Sequence, residues 1–338
     1  DDTLKPLDWR MSAGGGRVYF SVFAGRRRFL SVLMLYVDPM LRSGLIHQAH
    51  LWDYCRLSAD REYLKTLSAP AVRIMTPPAS DRAAKFPNKW KGYYAYYATA
   101  LTAADWLIKC DDDVVFLSNL AVLLQFARND TQRRHLYFPS IVNNDVAAAF
   151  QAADGVIEQP EYVVKLQPST HEGQFSMSPM SDWYNCTECA NFILHRFLEA
   201  PARFFTGCVH EWSVAARVPI NFFLMRGAAA RSHFAAYLQE PFVDEAYLTA
   251  LLTERSGIPS VMVTDAVVVH FSFAFQHVPD RQALLAKFRK MAQDLQPSAQ
   301  LEQQFSGRRL NLSCRNAPPP HLQRHARNRP NKLVRSSS

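Results

Sequence analysis

Several features that would settle a class are missing from this sequence. No run approaches the roughly 18 consecutive apolar residues of a membrane-spanning helix; Phe29 to Val37 is a short amphipathic segment instead. No signal-type hydrophobic region opens the chain and no internal repeat marks an array. The positive excess is also thin. The formal charge of +8 includes six Lys or Arg and no acid in the last 24 residues, Arg315 to Ser338, without which about +2 remains. That near balance removes most of the case for a nucleic-acid partner.

What is present suits a folded protein. With 338 residues, 48% apolar and 20% charged, the chain can bury a large core. It begins Asp-Asp without an initiator Met, which fits a processed product or a piece of a longer protein whose N-terminal anchor is not included. Asn129-Asp130-Thr131, Asn185-Cys186-Thr187 and Asn311-Leu312-Ser313 are N-glycosylation sequons, and six cysteines are compatible with disulfides. Together these lead us to expect a protein of the Golgi or endoplasmic reticulum lumen.

Hydrophobic periodicity orders the chain. Arg17 to Gly25 reads as a strand running into a loop, followed by a helix through Leu35 that Pro39 interrupts. Leu45 to Tyr54 and Ala71 to Met75 read as strands, Asp60 to Leu67 as a helix, and Lys89 to Leu101 as a tyrosine-rich helix. A strand then runs into Asp111-Asp112-Asp113. After it come a helix over Leu120 to Phe126, a strand over Leu136 to Val142 ending at Asn143-Asn144-Asp145, and an irregular stretch from about Gln151 to Asp182. Helices over Cys186 to Leu198, Val243 to Leu252 and Asp280 to Leu295 alternate with strands over Pro219 to Met225 and Val261 to His270. The alternation predicts an α/β fold, a mainly parallel sheet flanked by helices in a single large domain, with ligands at the carboxyl ends of the strands. Within it, 1–16 is an N-terminal extension, 17–150 a Rossmann-like half, 151–300 the second half of the same domain, and 301–338 a basic, disordered tail.

The Asp triplet is the strongest chemical signal. Adjacent carboxylates repel unless a positive group neutralises them, and a divalent cation holding a phosphate is the commonest partner. Asp113 is the expected direct ligand with His270 as a second; Asp111 either shares the metal or, with Asp112, orients a donor by accepting hydroxyl hydrogen bonds. Asp244 and Glu245 open a helix, where an acid caps the dipole or takes a proton from an attacking hydroxyl, Asp244 being preferred. Gly25, Arg26, Asp53 and Lys89 are candidate contacts for a nucleotide, with Trp90 and Tyr94 near them, although core packing accounts for most tyrosines of that helix. Trp183, Tyr184, His171 and Glu172 are candidates for an acceptor sugar.

The wording IKCDDDVVF, fourth in the α/β succession, resembles the metal-binding Asp-x-Asp segment of glycosyltransferases of the GT-A fold, loosely those of the β-1,3-galactosyltransferase and Fringe group. The segment Glu240 to Leu248 is similar to the acidic segment where such enzymes place a catalytic base, and His270 to their C-terminal metal-binding histidine. The resemblance implies transfer of a sugar from a UDP-linked donor to a hydroxyl of a glycan or glycoconjugate, with Mn²⁺ or Mg²⁺; a carboxylate base implies inversion at the anomeric carbon. Two other readings remain. Asp111 to Val115 also fits the Asp-x-Asp-x-Val of haloacid-dehalogenase-like phosphatases, although the triplet follows three strands and no later Gly-Asp-x-x-x-Asp appears; and an inactive GT-A-like module would bind without turnover. Cys186-x-x-Cys189, with His195, Cys208 and His210, invites zinc, but without a second paired motif a disulfide or free thiols rank above it.

Overall fold

A computed structural model describes residues 16–83, 90–157, 182–212 and 218–295. Mostly apolar β1 (Val18–Ala24) is buried on both faces, as a strand covered by helices requires. It leads into α1 (Arg27–Ser43), then β2 (Gln48–Asp53), α2 (Ser58–Thr66), β3 (Val72–Met75) and α3 (Ala79–Ala83). The tyrosine-rich segment forms α4 (Lys91–Ala100) and packs Tyr93, Tyr94 and Tyr97 wholly out of solvent. β4 (Trp106–Asp111) follows and is joined by a two-residue turn to β5 (Val114–Ser118). Then come α5 (Leu120–Asn129), β6 (Tyr137–Val142), α6 (Asp145–Ala153), α7 (Asp182–Asn185), α8 (Thr187–Glu199), β7 (Val209–Trp212), β8 (Phe222–Arg226) and α9 (Gly227–Tyr237). A π-helical stretch, Ala246–Leu251, runs into α10 (Leu252–Ser256), and β9 (Ser260–His270) and α11 (Arg281–Leu295) end the described chain.

The nine strands of the described residues form one sheet, in the order β3-β2-β1-β4-β8-β6-β9-β5 with β7 also on β9. This is the expected α/β architecture of a helix-flanked sheet. Parallel pairing holds for β3-β2-β1-β4 and for β6 with β9, whereas β8 runs against β4 and β6, and β5 and β7 run against β9. Chain from both halves of the sequence thus meets in one layer. The pairing of Val114 with His270 brings the end of β9 beside the carboxylate turn.

Three local expectations are corrected. Helix α1 continues through Pro39 to Ser43; burial of Phe29, Leu30, Val32, Leu33, Met34, Tyr36 and Val37 outweighs the roughly 3 kcal/mol that an interior proline costs. The triplet does not merely end a strand: the apolar residues after it form β5, whose short length hid it. The irregular stretch starts late, because α6 runs to Ala153, its N-cap Asn144 accepting from the Ala147 amide. Helices α6 and α9 and strand β7 lacked a pattern distinct enough to anticipate. The extension at 1–15, residues 158–181 and the tail lie outside the described residues.

The start of β4 is fixed by Asp105, 2% exposed. Its carboxylate accepts from the amides of Thr102 (2.7 Å) and Arg17 (3.0 Å), and its carbonyl from the Gly227 amide (2.6 Å). Burial pushes this carboxyl up, but the Thr102 and Arg17 donors outweigh that and hold it below its ordinary value. Its contribution is therefore complete above about pH 4 and is lost as pH falls through the lower folded value. Asp105→Ala is expected to cost about 2 to 4 kcal/mol in urea denaturation at neutral pH, since it orphans buried amides, and the gap to the wild type should narrow on acidification below about pH 4.

Candidate active site at the carboxylate turn

The turn between β4 and β5 holds three carboxylates with three different sets of partners. Alternation along β4 puts Lys109 on the face of Asp111 and Cys110 on the other. Buried Lys109 pairs with Asp111, donates to the Ile220 carbonyl (2.6 Å) and lies over the Phe23 ring (4.9 Å). Asn221 donates to the other Asp111 oxygen (3.1 Å), and its carbonyl accepts from the Asp111 amide (2.9 Å).

Asp112 turns the opposite way. One oxygen accepts from the Gly25 amide (2.7 Å); the other accepts from Arg26 Nε (3.0 Å) and Nη2 (2.5 Å). The chain passes close here: a Cβ on Gly25 would stand 3.3 Å from the Tyr54 carbonyl and 3.4 Å from Asp112 Oδ2. Gly25 and Asp112 therefore lock the β1–α1 turn onto the β4–β5 turn, and this carboxylate, expected to face a donor, is engaged with the protein. Arg26 also reaches Asp113 (2.9 Å).

Two carboxylates sharing one guanidinium cannot both ionise with equal ease. Burial, opposed by Arg26 and assisted by the charge of Asp113, raises the Asp112 carboxyl to about 6. Burial pushes Asp113 up as well, but the attraction of Arg26 and His270 outweighs it and holds Asp113 well below the ordinary value.

His270 Nε2 lies 3.3 Å from Asp113 Oδ2, and its Nδ1 lies 3.4 Å from the Asn143 carbonyl. Asn143 takes a left-handed backbone (φ 63°), which asparagine tolerates, and is fully buried. Its side chain donates to Gln276 Oε1 (2.9 Å) and accepts from the Trp183 indole (3.0 Å). If Nδ1 carries the proton toward Asn143, Nε2 presents its lone pair on the Asp113 side. One donor atom each from Asp111, Asp113 and His270 then lie within 4.8 Å of one another. Two carboxylate oxygens and an imidazole held from behind by a carbonyl suit a divalent cation such as Mn²⁺ or Mg²⁺.

The remaining candidates fall in three groups. Asp244 is buried: its carboxylate accepts from the Tyr94 hydroxyl (2.6 Å) and from the Glu245 amide (2.9 Å), which is what draws Tyr94 out of a purely packing role. Glu245 is half-buried and accepts from the Ile220 amide (3.2 Å), whose carbonyl receives Lys109. Asp53 ends β2 beside Ala24, with its oxygens on the Cys55 amide (3.1 Å) and Arg61 Nε (2.8 Å). Trp90 stacks on Phe23 (5.2 Å), while Lys89, His171 and Glu172 lie outside the described residues. Trp183 is buried against Asn143, whereas Tyr184 rests on Phe273 (4.4 Å) and on Phe275 (5.7 Å), itself 56% exposed; Phe273 in turn meets the His270 ring at 4.5 Å.

Lys109, Asn143, Asn221, Phe273, Phe275 and Gln276 were not anticipated. Lys109 was readable from its position two before Asp111 on a strand; Asn221, 110 residues away, carried no local signal.

No protein-family model matches the sequence, and no curated protein does. Solved structures similar to the chain include 4-diphosphocytidyl-2C-methyl-D-erythritol synthase from Anaerococcus prevotii, at 11% identity and a TM-score of 0.40 over 82% of this chain and 99% of that one. They also include the galactosyltransferase LgtC with donor and acceptor sugar analogs, at 12% identity and a TM-score of 0.40 over 86% and 99%. An active-site mutant of LgtC aligns at 12% identity and 0.33 over 70% and 69%. Likeness of this strength assigns neither activity nor ligand.

Because Arg26 is the counter-ion of both Asp112 and Asp113, Arg26→Ala should cost about 1 to 2 kcal/mol by chemical denaturation, discounted for a side chain that is 41% exposed. It should leave far-UV circular dichroism unchanged.

Proposed function

We propose that the protein is a metal-dependent glycosyltransferase that moves a sugar from a nucleotide-sugar donor, UDP-linked, to a hydroxyl of a glycan or glycoconjugate. The observation that carries this is the cluster of Asp111, Asp113 and His270 donors at the carboxyl ends of β4 and β9, where ligands bind in sheets of this kind. Mn²⁺ or Mg²⁺ held there would supply Lewis-acid stabilisation of a nucleoside diphosphate leaving group. Arg26 pairs with Asp112 and Asp113 and would add positive charge next to the diphosphate. Gly25 and Asp53, at the ends of the adjoining strands, border the nucleotide.

On the acceptor side, Tyr184, Phe273 and Phe275 form an aromatic face beside His270 on which a sugar ring can stack. A carboxylate about 3 Å from the acceptor hydroxyl takes its proton as the anomeric carbon is attacked, with inversion. Glu245, half-buried where Asp244 is buried and so better placed to meet an acceptor, suits this role better than Asp244. Asp244 then positions the turn that carries Glu245. A lumenal location fits the exposed Asn129 and Asn185 of two sequons and the Cys186–Cys189 disulfide.

The test is nucleotide release from a panel of nucleotide sugars with Mn²⁺. Donor cleavage should require the metal and disappear in Asp113→Asn, while Glu245→Gln should lower kcat for transfer by about 10² to 10⁴ with donor binding retained. Cleavage of p-nitrophenyl phosphate with no donor turned over would instead indicate a phosphatase, and donor binding without turnover an inactive module.

A further inference from the structure

We propose that Asp154, Cys208 and His210 form a second metal site, built for Zn²⁺ or a similar borderline cation and independent of the carboxylate turn. One donor atom from each of the three lies within 4.8 Å of the others. Asp154 follows the last residue of α6, and Cys208 and His210 flank Val209 at the start of β7, two residues apart and so on one side of the strand. The set is dry: the His210 and Asp154 side chains are 1% and 4% exposed, and Cys208 is 5% exposed.

His210 Nε2 lies 2.9 Å from Asp154 Oδ2, which also accepts from the Thr206 hydroxyl (2.9 Å), and Phe150 stacks on the imidazole at 4.5 Å. His210 Nδ1 is buried and has no partner among the described residues. The nitrogen on the Asp154 side is Nε2, and a cation shared with Asp154 would replace the proton between them. The donors also select the ion. A thiolate and an imidazole favour Zn²⁺ over Mg²⁺ or Mn²⁺, and thiolate with carboxylate balances a double positive charge.

The two clusters share no residue and attach to different parts of β9. Val209 pairs with Val263, whereas Val114 of β5 pairs with His270 at the strand's end, beyond the register shift that separates Val263 from Val267. The zinc reading of the cysteine-rich stretch thus moves: Cys186 and Cys189 pair with each other, while Cys208 and His210 join an aspartate that lies outside any sequence spacing. A cation here would tie the end of α6 to β7.

The experiment is titration of Co²⁺ into the purified full chain, following the thiolate-to-cobalt charge-transfer absorption. The band is expected to saturate at about one equivalent and to be displaced by Zn²⁺. It should vanish in Cys208→Ser, fade in Asp154→Asn with at least about tenfold weaker binding, and persist in Asp113→Asn, since the carboxylate turn offers no thiol donor. Circular dichroism checks that each variant is folded, and Asp154→Asn keeps the test decisive if Cys208→Ser is not. No band in the wild type, or an undiminished one in folded Cys208→Ser, overturns the proposal.

Discussion

Three consecutive carboxylates, two buried and one partly exposed, are the constraint that the rest of this molecule serves. Left alone they would repel at a cost no two-residue turn could bear. The chain answers with two cations of its own: Lys109 from the same strand takes Asp111, and Arg26 from the β1–α1 turn takes Asp112 and part of Asp113. Three formal negative charges against two positive leave one over, next to the imidazole of His270. The turn is stable enough to exist and remains attractive to a further cation.

The same ion pairs knit the architecture together. Asp112 draws Gly25 against the turn, so the end of β1 and the end of β4 move as one. Lys109 reaches the Ile220 carbonyl and the Ile220 amide binds Glu245, so a carboxylate at the start of the π-helical stretch is registered against the one on β4 through a single residue. Asn143, in a left-handed conformation, binds Trp183 and Gln276 and backs His270. Structural neutralisation and chemical positioning are thus made by overlapping residues.

Much of this was legible beforehand. Mostly apolar runs identified β1, β4, β6 and β9, and the acid and histidine closing two of them marked the site. What stayed hidden was set by distance or by turn geometry. Asp112 looks equivalent to its neighbours in sequence, but a two-residue turn must send successive side chains in different directions, and one of them met Gly25. Asp244 looked like a free helix-start acid until Tyr94, 150 residues away, was seen to donate to it. The antiparallel strands β5 and β7 are short and take their stability from pairing with β9, so no local pattern announced them.

The central claim is that Asp111, Asp113 and His270 together hold the divalent cation of a nucleotide-sugar enzyme. Anomalous scattering from a crystal grown with Mn²⁺ and UDP tests it most directly. The account predicts a manganese peak at bonding distance from carboxylate oxygens of Asp111 and Asp113 and from a ring nitrogen of His270, with the diphosphate on its open side. A peak elsewhere, or UDP bound with its phosphates on Arg26 and no metal at the turn, would contradict it.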